Sequence, residues 1–217
     1  MPAATASPDL RVSPPLAVRG LACRRGERLL FSALDLDVEA GRIVWLRGAN
    51  GQGKTTLLRT LAGLSAPEAG TIAWAAATPP RRFVYIAHAN ALKDDLSAAE
   101  SLEFLLRLAG GAPTLAQIDL ALDRFAMGSR RDAPVRTLSQ GQRRRVALAR
   151  LATETEAATW LLDEPFDALD AAGIETLNAL LAAHAKRGGS VVLTSHVPLT
   201  IVEPMPLQVV LEAPLAA

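Results

Sequence analysis

The stretch Gly48-Ala49-Asn50-Gly51-Gln52-Gly53-Lys54-Thr55-Thr56 sets three glycines, a lysine and paired hydroxyls in the order GxxxxGK[ST]. Glycines let a backbone curl until its N–H groups converge, and a following helix adds its positive end at the same point. A phosphate satisfies that arrangement. Lys54 supplies a full charge for β- and γ-phosphates, and the Thr55 hydroxyl is placed to ligate Mg²⁺. The plainer alternative is a glycine-rich turn with an exposed lysine. The flanks argue against it: Arg42 to Arg47 is a short apolar run that reads as a buried strand, and Leu57 to Gly63 reads as a helix ended by glycine. The implied chemistry is the binding of a nucleoside triphosphate.

Two further stretches bear on what happens to it. Thr159-Trp160-Leu161-Leu162-Asp163-Glu164-Pro165 is an apolar strand ending in two acids, and strand ends are where ligands meet a parallel sheet. Asp163 fits the magnesium-holding aspartate of phosphate-loop enzymes, with Glu164 beside it to orient and polarise an attacking water. Alone, such a pair is equally a turn or a helix start; Lys54 upstream favours the chemical reading. Leu138-Ser139-Gln140-Gly141-Gln142 precedes an arginine-rich helix, so a serine N-cap and a glycine stand at a helix N-terminus. That is a second phosphate-friendly element, or an ordinary capped helix.

The elements that position these residues follow from periodicity. Leu16 to Leu21 and Leu34 to Val38 alternate as antiparallel strands expected to cap the nucleotide side of the sheet, with a basic turn from Cys23 to Arg28 between them. Gly70 to Trp74 and Arg82 to Ile86 read as strands joined by a Pro-Pro loop, and His88 ends the second. Ser97 to Leu108 and Thr114 to Met127 have leucines at helical spacing and form a helical insertion, about residues 91–150, which Ser139 to Ala152 completes. Helix Ala171 to Lys186 and strands Ser190 to Thr194 and Leu207 to Leu211 follow. Strands alternating with helices around a glycine turn predict an α/β fold with a parallel sheet covered on both faces.

Composition bounds the remainder. A chain of 217 residues, half of them hydrophobic, buries one main core. A net charge of +1 gives no electrostatic case for a nucleic-acid partner. A single cysteine, Cys23, excludes an internal disulfide, and an intracellular chain is expected. Residues 1–15, rich in Ala, Ser and Pro, make a poor signal peptide and read as a disordered tail. No run approaches the roughly 20 apolar residues of a spanning helix, so if membranes matter to this chain, a partner must provide them.

In order and spacing, residues Leu16 to His196 resemble the ATP-binding subunits of ABC transporters. The resemblance implies the ABC ATPase fold over residues 16–217: a P-loop NTPase parallel sheet, an antiparallel N-terminal β subdomain and an inserted α-helical subdomain. It implies ATP and Mg²⁺ as ligands, and a homodimer that sandwiches two ATPs. Gly48, Asn50, Gly51, Gly53, Lys54, Thr55, Thr56 and Asp163 would hold the nucleotide, with Thr55 and Asp163 on the metal. Ser139, Gly141 and Gln142 correspond to the LSGGQ signature, with Gln140 in place of its first glycine, and would meet the γ-phosphate held by the other subunit. Phe166 to Asp170 would link the two sites. Glu164 would be the catalytic base and His196 the switch histidine.

His88 stands where most members carry a glutamine that reaches the metal through water. A neutral imidazole can accept that hydrogen bond; the plainer alternative is a strand cap. Together with the runs Leu92 to Leu102 and Asp163 to Asp170, His88 is similar to the subgroup formed by the ATPases of haem exporters in cytochrome c maturation. That likeness implies integral membrane permease subunits contacting residues 91–136, and a peripheral location on the cytoplasmic face of the bacterial inner membrane. It implies no appended regulatory domain. Arg25 lies near the place of the usual adenine-stacking aromatic, to stack on the base or simply face solvent. Three histidines without CxxCH give no direct haem site. Another cargo, or a soluble ABC ATPase, is the competing expectation.

Overall fold

A computed structural model describes residues 15–75 and 83–212. Residues 1–14 of the expected tail and the Pro79-Pro80 link lie outside the described residues. Five parallel strands form the central sheet: β3 (Ile43–Arg47), β5 (Phe83–Ile86), β6 (Thr159–Leu162), β7 (Ser190–Thr194) and β8 (Leu207–Val210), in the order β5-β6-β7-β3-β8. A second sheet, β2-β1-β4, is antiparallel and built from β1 (Leu16–Arg25), β2 (Arg28–Val38) and β4 (Ala69–Trp74). The helices are α1 (Lys54–Leu61), α2 (Ala98–Leu108), α3 (Leu115–Arg124), α4 (Gln140–Ala149) and α5 (Ala171–Lys186).

Because successive side chains on a strand face opposite ways, each central strand feeds two layers. Ile43, Trp160, Leu162, Val191 and Leu193 pack with the helical insertion α2–α4 and with α5. Their neighbours Val44, Leu46, Leu161 and Val192 pack with Leu57, Leu58 and Leu61 of α1 and with the antiparallel sheet. Strands buried on both faces show no alternation, which is why β6 and β7 read as unbroken apolar runs.

The N-terminal strands are longer than their alternation predicts. β1 and β2 make one hairpin, and the basic run from Cys23 to Arg28 belongs mostly to the strands, with Arg25 opposite Arg28. Register shifts beside Gly20 (φ +57°) and Ala33 (φ +54°) break the period of two, so the pattern is lost midway. β4 joins this sheet through β1, while β5 edges the parallel one; consecutive strands here serve different sheets. The insertion is helical as expected. Ser97, Thr114 and Ser139 each N-cap a helix within a capping box. Among the described residues no helix is long and apolar enough to cross a membrane.

His184 of α5 is fully buried against β6, its ring stacked on Trp160 with centroids 3.6 Å apart. Its Nε2–H donates to the Ala158 carbonyl at 2.8 Å, while Nδ1 has no partner among the described residues. Burial pushes its pKa below the ordinary histidine value. The folded state therefore keeps it neutral, whereas the unfolded chain takes up a proton near pH ~6.5. Its contribution to stability is complete above that pH and is lost as pH falls through it. Lowering the pH from about 7.5 to about 5.5 should depress the melting temperature of the wild type more than that of His184→Phe. The phenylalanine keeps the stack, and the Ala158 carbonyl retains the Ser190 N–H at 3.0 Å. Equal depression in both would assign the acid sensitivity to other groups.

Candidate functional site

The glycine loop leaves β3 at Arg47 and enters α1 at Lys54, at the carboxyl end of the sheet. Gly53 caps α1 with φ +98°, and a Cβ there would lie 3.0 Å from Leu30 Cβ; only glycine gives both the turn and the close approach. The first turn of α1 carries no acid, so its N-terminal end is left positive. Lys54 is 9% exposed, and its Nζ donates across the loop to the carbonyls of Gly48 at 2.7 Å and Ala49 at 3.3 Å. Gln52 folds back so that its Oε1 accepts from the Ala49 N–H. A cavity of about 300 Å³ opens beside this loop. Its walls are Arg25 and Leu30 of the hairpin, Asn50, Gly51 and Gly53 of the loop, Lys54, Thr55 and Thr56 of α1, and Glu164 with His196 from the ends of β6 and β7.

Asp163 is 2% exposed, and its Oδ1 accepts from the hydroxyls of Thr55 at 3.1 Å and Thr194 at 3.0 Å. A hydroxyl and a carboxylate oxygen so placed are the hard oxygen donors that Mg²⁺ takes. Thr194 Oγ1 in turn accepts the Glu164 N–H at 2.8 Å, so one hydroxyl serves both acids. Glu164 adopts φ +46°, a left-handed conformation costly for a residue with a Cβ. Its Oε2 accepts the backbone N–H of His196 at 3.1 Å, and its Oε1 lies 3.4 Å from His196 Nε2. The acid at the cavity wall is thereby held by β7 as well as by its own strand.

Ser139, Gly141 and Gln142 do not reach this cavity. The Ser139 hydroxyl accepts the Gln142 N–H at 3.2 Å and the Gln142 Oε1 accepts the Ser139 N–H at 3.0 Å, which closes the N-terminus of α4 at an exposed edge. A Cβ on Gly141 would lie 2.6 Å from the carbonyl of Ala168, itself at φ +61°, so this glycine lets the helix end seat against the loop that follows the acids.

His88 is not brought to Thr55 and Asp163. Its ring is largely exposed, with Nδ1 3.5 Å from Asp167 Oδ2. The reason lies in a residue that sequence reasoning passed over. Arg144 of α4 is 2% exposed, and its guanidinium donates to the carbonyls of Ala87, His88, Asp163, Glu164 and Pro165 and to Asn90 Oδ1. It holds the backbone at 87–88, and the imidazole lies beside Asp167. The only signal for it was the run Arg143-Arg144-Arg145, in which nothing singles out the middle member.

Comparison with known proteins gives a consistent picture. The family model described as "ABC transporter" matches residues 31–167. The cytochrome c biogenesis ATP-binding export protein CcmA of Saccharophagus degradans is 44% identical over 198 residues, covering 85% of this chain and 88% of that relative. The protein of the same name from Escherichia coli O157:H7 is 43% identical over 195 residues, covering 87% and 92%. A solved ATP binding subunit of an ABC transporter superposes with a TM-score of 0.78 at 24% identity, over 91% of this chain and 85% of that one.

Burial lowers the pKa of Arg144, and the neighbouring acids Asp167, Asp163 and Glu164 oppose that shift. Arg144→Met should remove the donors and leave buried carbonyls unpaired, lowering stability by about 3–5 kcal/mol, as measured by urea unfolding. Arg144→Lys should recover only part, since one ammonium cannot span acceptors on both segments. A loss under about 1 kcal/mol for Arg144→Met would show that the loops hold themselves.

Proposed function

The chain belongs to the ABC transporter ATP-binding family, and from that premise we propose that it drives a cytochrome c biogenesis export complex, with haem as the cargo. The ATPase character follows from the family; the cytochrome c biogenesis export complex rests on the name carried by relatives about 44% identical, and haem is the cargo we infer for it. The observation that carries the catalytic reading is the placement of Glu164 in the wall of the cavity formed by Lys54, Thr55 and the glycine loop, with His196 at its carboxylate. In this reading the loop N–H groups and Lys54 hold the β- and γ-phosphates of ATP, and Arg25 faces the base. Thr55 and Asp163 would hold Mg²⁺, which when bound neutralises phosphate charge.

Glu164 accepts a proton from water as its oxygen attacks the γ-phosphorus, and the bond to the bridging oxygen breaks to leave ADP and phosphate. His196 stands where the departing phosphoryl group gains charge. The exposed end of α4, with Ser139, Gly141 and Gln142 remote from the cavity of their own chain, suits a second copy arranged head to tail. In such a homodimer each α4 end closes the other chain's site. Closure and reopening then move integral membrane permease subunits, which hold the chain to the cytoplasmic face of the inner membrane. The exposed Phe104 and Leu108 of α2 and Leu115 and Leu120 of α3 give that contact an apolar surface.

Glu164→Gln should reduce ATP turnover at least about a hundredfold while leaving ATP binding intact, because the amide keeps the shape and cannot take the proton. The variant should accumulate as a dimer on size exclusion with ATP present. Turnover near wild type would move the base elsewhere. The cargo is tested separately by purifying the native membrane complex and identifying its subunits. Co-purification of small cytochrome c biogenesis membrane proteins is expected; a drug or peptide permease instead would overturn haem export and leave the ATPase reading standing.

A further inference from the structure

A second cavity, of about 510 Å³, lies at the carboxyl ends of β3, β7 and β8. It shares Lys54 and His196 with the nucleotide cavity, so these two residues form a common wall. Arg47 supplies a third basic group, and among the described residues no acidic side chain lines the space.

Arg47 is held in an unusual way. Its guanidinium carbon lies 4.9 Å from the centroid of the Trp45 ring, and one of its nitrogens donates to Gln208 Oε1 at 3.0 Å. Trp45 is itself fixed by donating from Nε1 to the Ser195 carbonyl at 3.1 Å. Several surface arginines of this chain, Arg19, Arg24, Arg107 and Arg131 among them, lie against carboxylates. Among the described residues no ion pair engages Arg47. A π face and an amide oxygen therefore orient it without neutralising it, and most of its five N–H donors stay available. An oriented, uncompensated guanidinium beside a lysine and a histidine suits an oxyanion that comes and goes.

We propose that this cavity is a transient binding site for inorganic phosphate leaving the catalytic centre. The inference rests on the ATPase reading above. Hydrolysis converts ATP⁴⁻ and water into ADP³⁻, HPO₄²⁻ and a proton. ADP stays anchored by its β-phosphate in the glycine loop, so the phosphate must leave on the γ side, past Lys54 and His196. The second cavity begins at those residues. It does not suit a second nucleotide, because Arg47 already covers the Trp45 face on which a base would stack.

The test is titration of inorganic phosphate into the full chain saturated with Mg-ADP, followed by ³¹P NMR or calorimetry, for wild type, Arg47→Gln, Arg47→Lys and the surface control Arg42→Gln. Arg47→Gln should weaken phosphate binding about tenfold, the loss of roughly one charge-assisted hydrogen bond, with ADP affinity unchanged. Arg47→Lys should fall between, and Arg42→Gln should match wild type. In steady-state turnover, inhibition by phosphate should weaken by the same factor in Arg47→Gln while single-turnover cleavage keeps its rate. Equal phosphate affinity in wild type and Arg47→Gln overturns the proposal, as does an altered monomer–dimer equilibrium without a change in phosphate binding. A wild type that binds phosphate through Arg47 yet does not cleave ATP would sink the catalytic reading and leave the site.

Discussion

The buried guanidinium of Arg144 is the interaction on which the carboxyl end of the central sheet depends. It draws together the segment 87–90 after β5, the segment 163–165 after β6 and the helix α4 from which it projects. A charge this deep is costly unless its donors are used and counter-charges are near. Both conditions hold: its donors meet fixed carbonyls, and Asp163, Glu164 and Asp167 supply the field. The planar fork of five N–H groups lets one side chain serve both loops at once. The positions of the acids and of the α4 end are therefore parts of one arrangement.

That arrangement also holds strain. Glu164 and Ala168 both sit at positive φ without being glycine, on either side of the turn that leads from β6 to α5. Such conformations persist only where surroundings over-determine them. Here Thr194 accepts the Glu164 N–H, Arg144 takes its carbonyl, and Gly141 seats α4 against the Ala168 carbonyl. Asp170 then stops the irregular stretch by capping α5, accepting the Gly173 N–H at 2.9 Å, with its pKa lowered by that bond and by Arg145. Even the next arginine along α4 is thus committed to the same turn.

What the sequence made legible is what short-range chemistry determines. The glycine loop, the apolar run of β6 with its acids and the capped helices announce themselves, because spacing along the chain is enough to define them. The hairpin's alternation ends early because bulges interrupt its period, and local pattern does not separate β4 and β5 into different sheets because pairing is a long-range choice. The order of motifs alone suggests His88 for the metal donors, and it carries no sign that the backbone under His88 is held by an arginine 56 residues away. Arg144 and Arg47 were invisible for one reason: a charged residue's worth depends on what surrounds it, and local pattern carries no record of that.

The division of the core into two layers gives this geometry its mechanical meaning. α1 and the glycine loop pack with the antiparallel sheet on one face of the central strands, while α2, α3 and α4 pack on the other. The layers meet at the carboxyl ends of the strands, where Thr55 from the first reaches Asp163 and Arg144 from the second grips the carbonyls of Asp163 and Glu164. The cavity beside the glycine loop opens on the first layer, and the exposed leucines of the insertion lie on the second. Both layers are bonded to Asp163. The strand end after β6 is therefore where the two layers are tied together, in packing too dense to yield gradually.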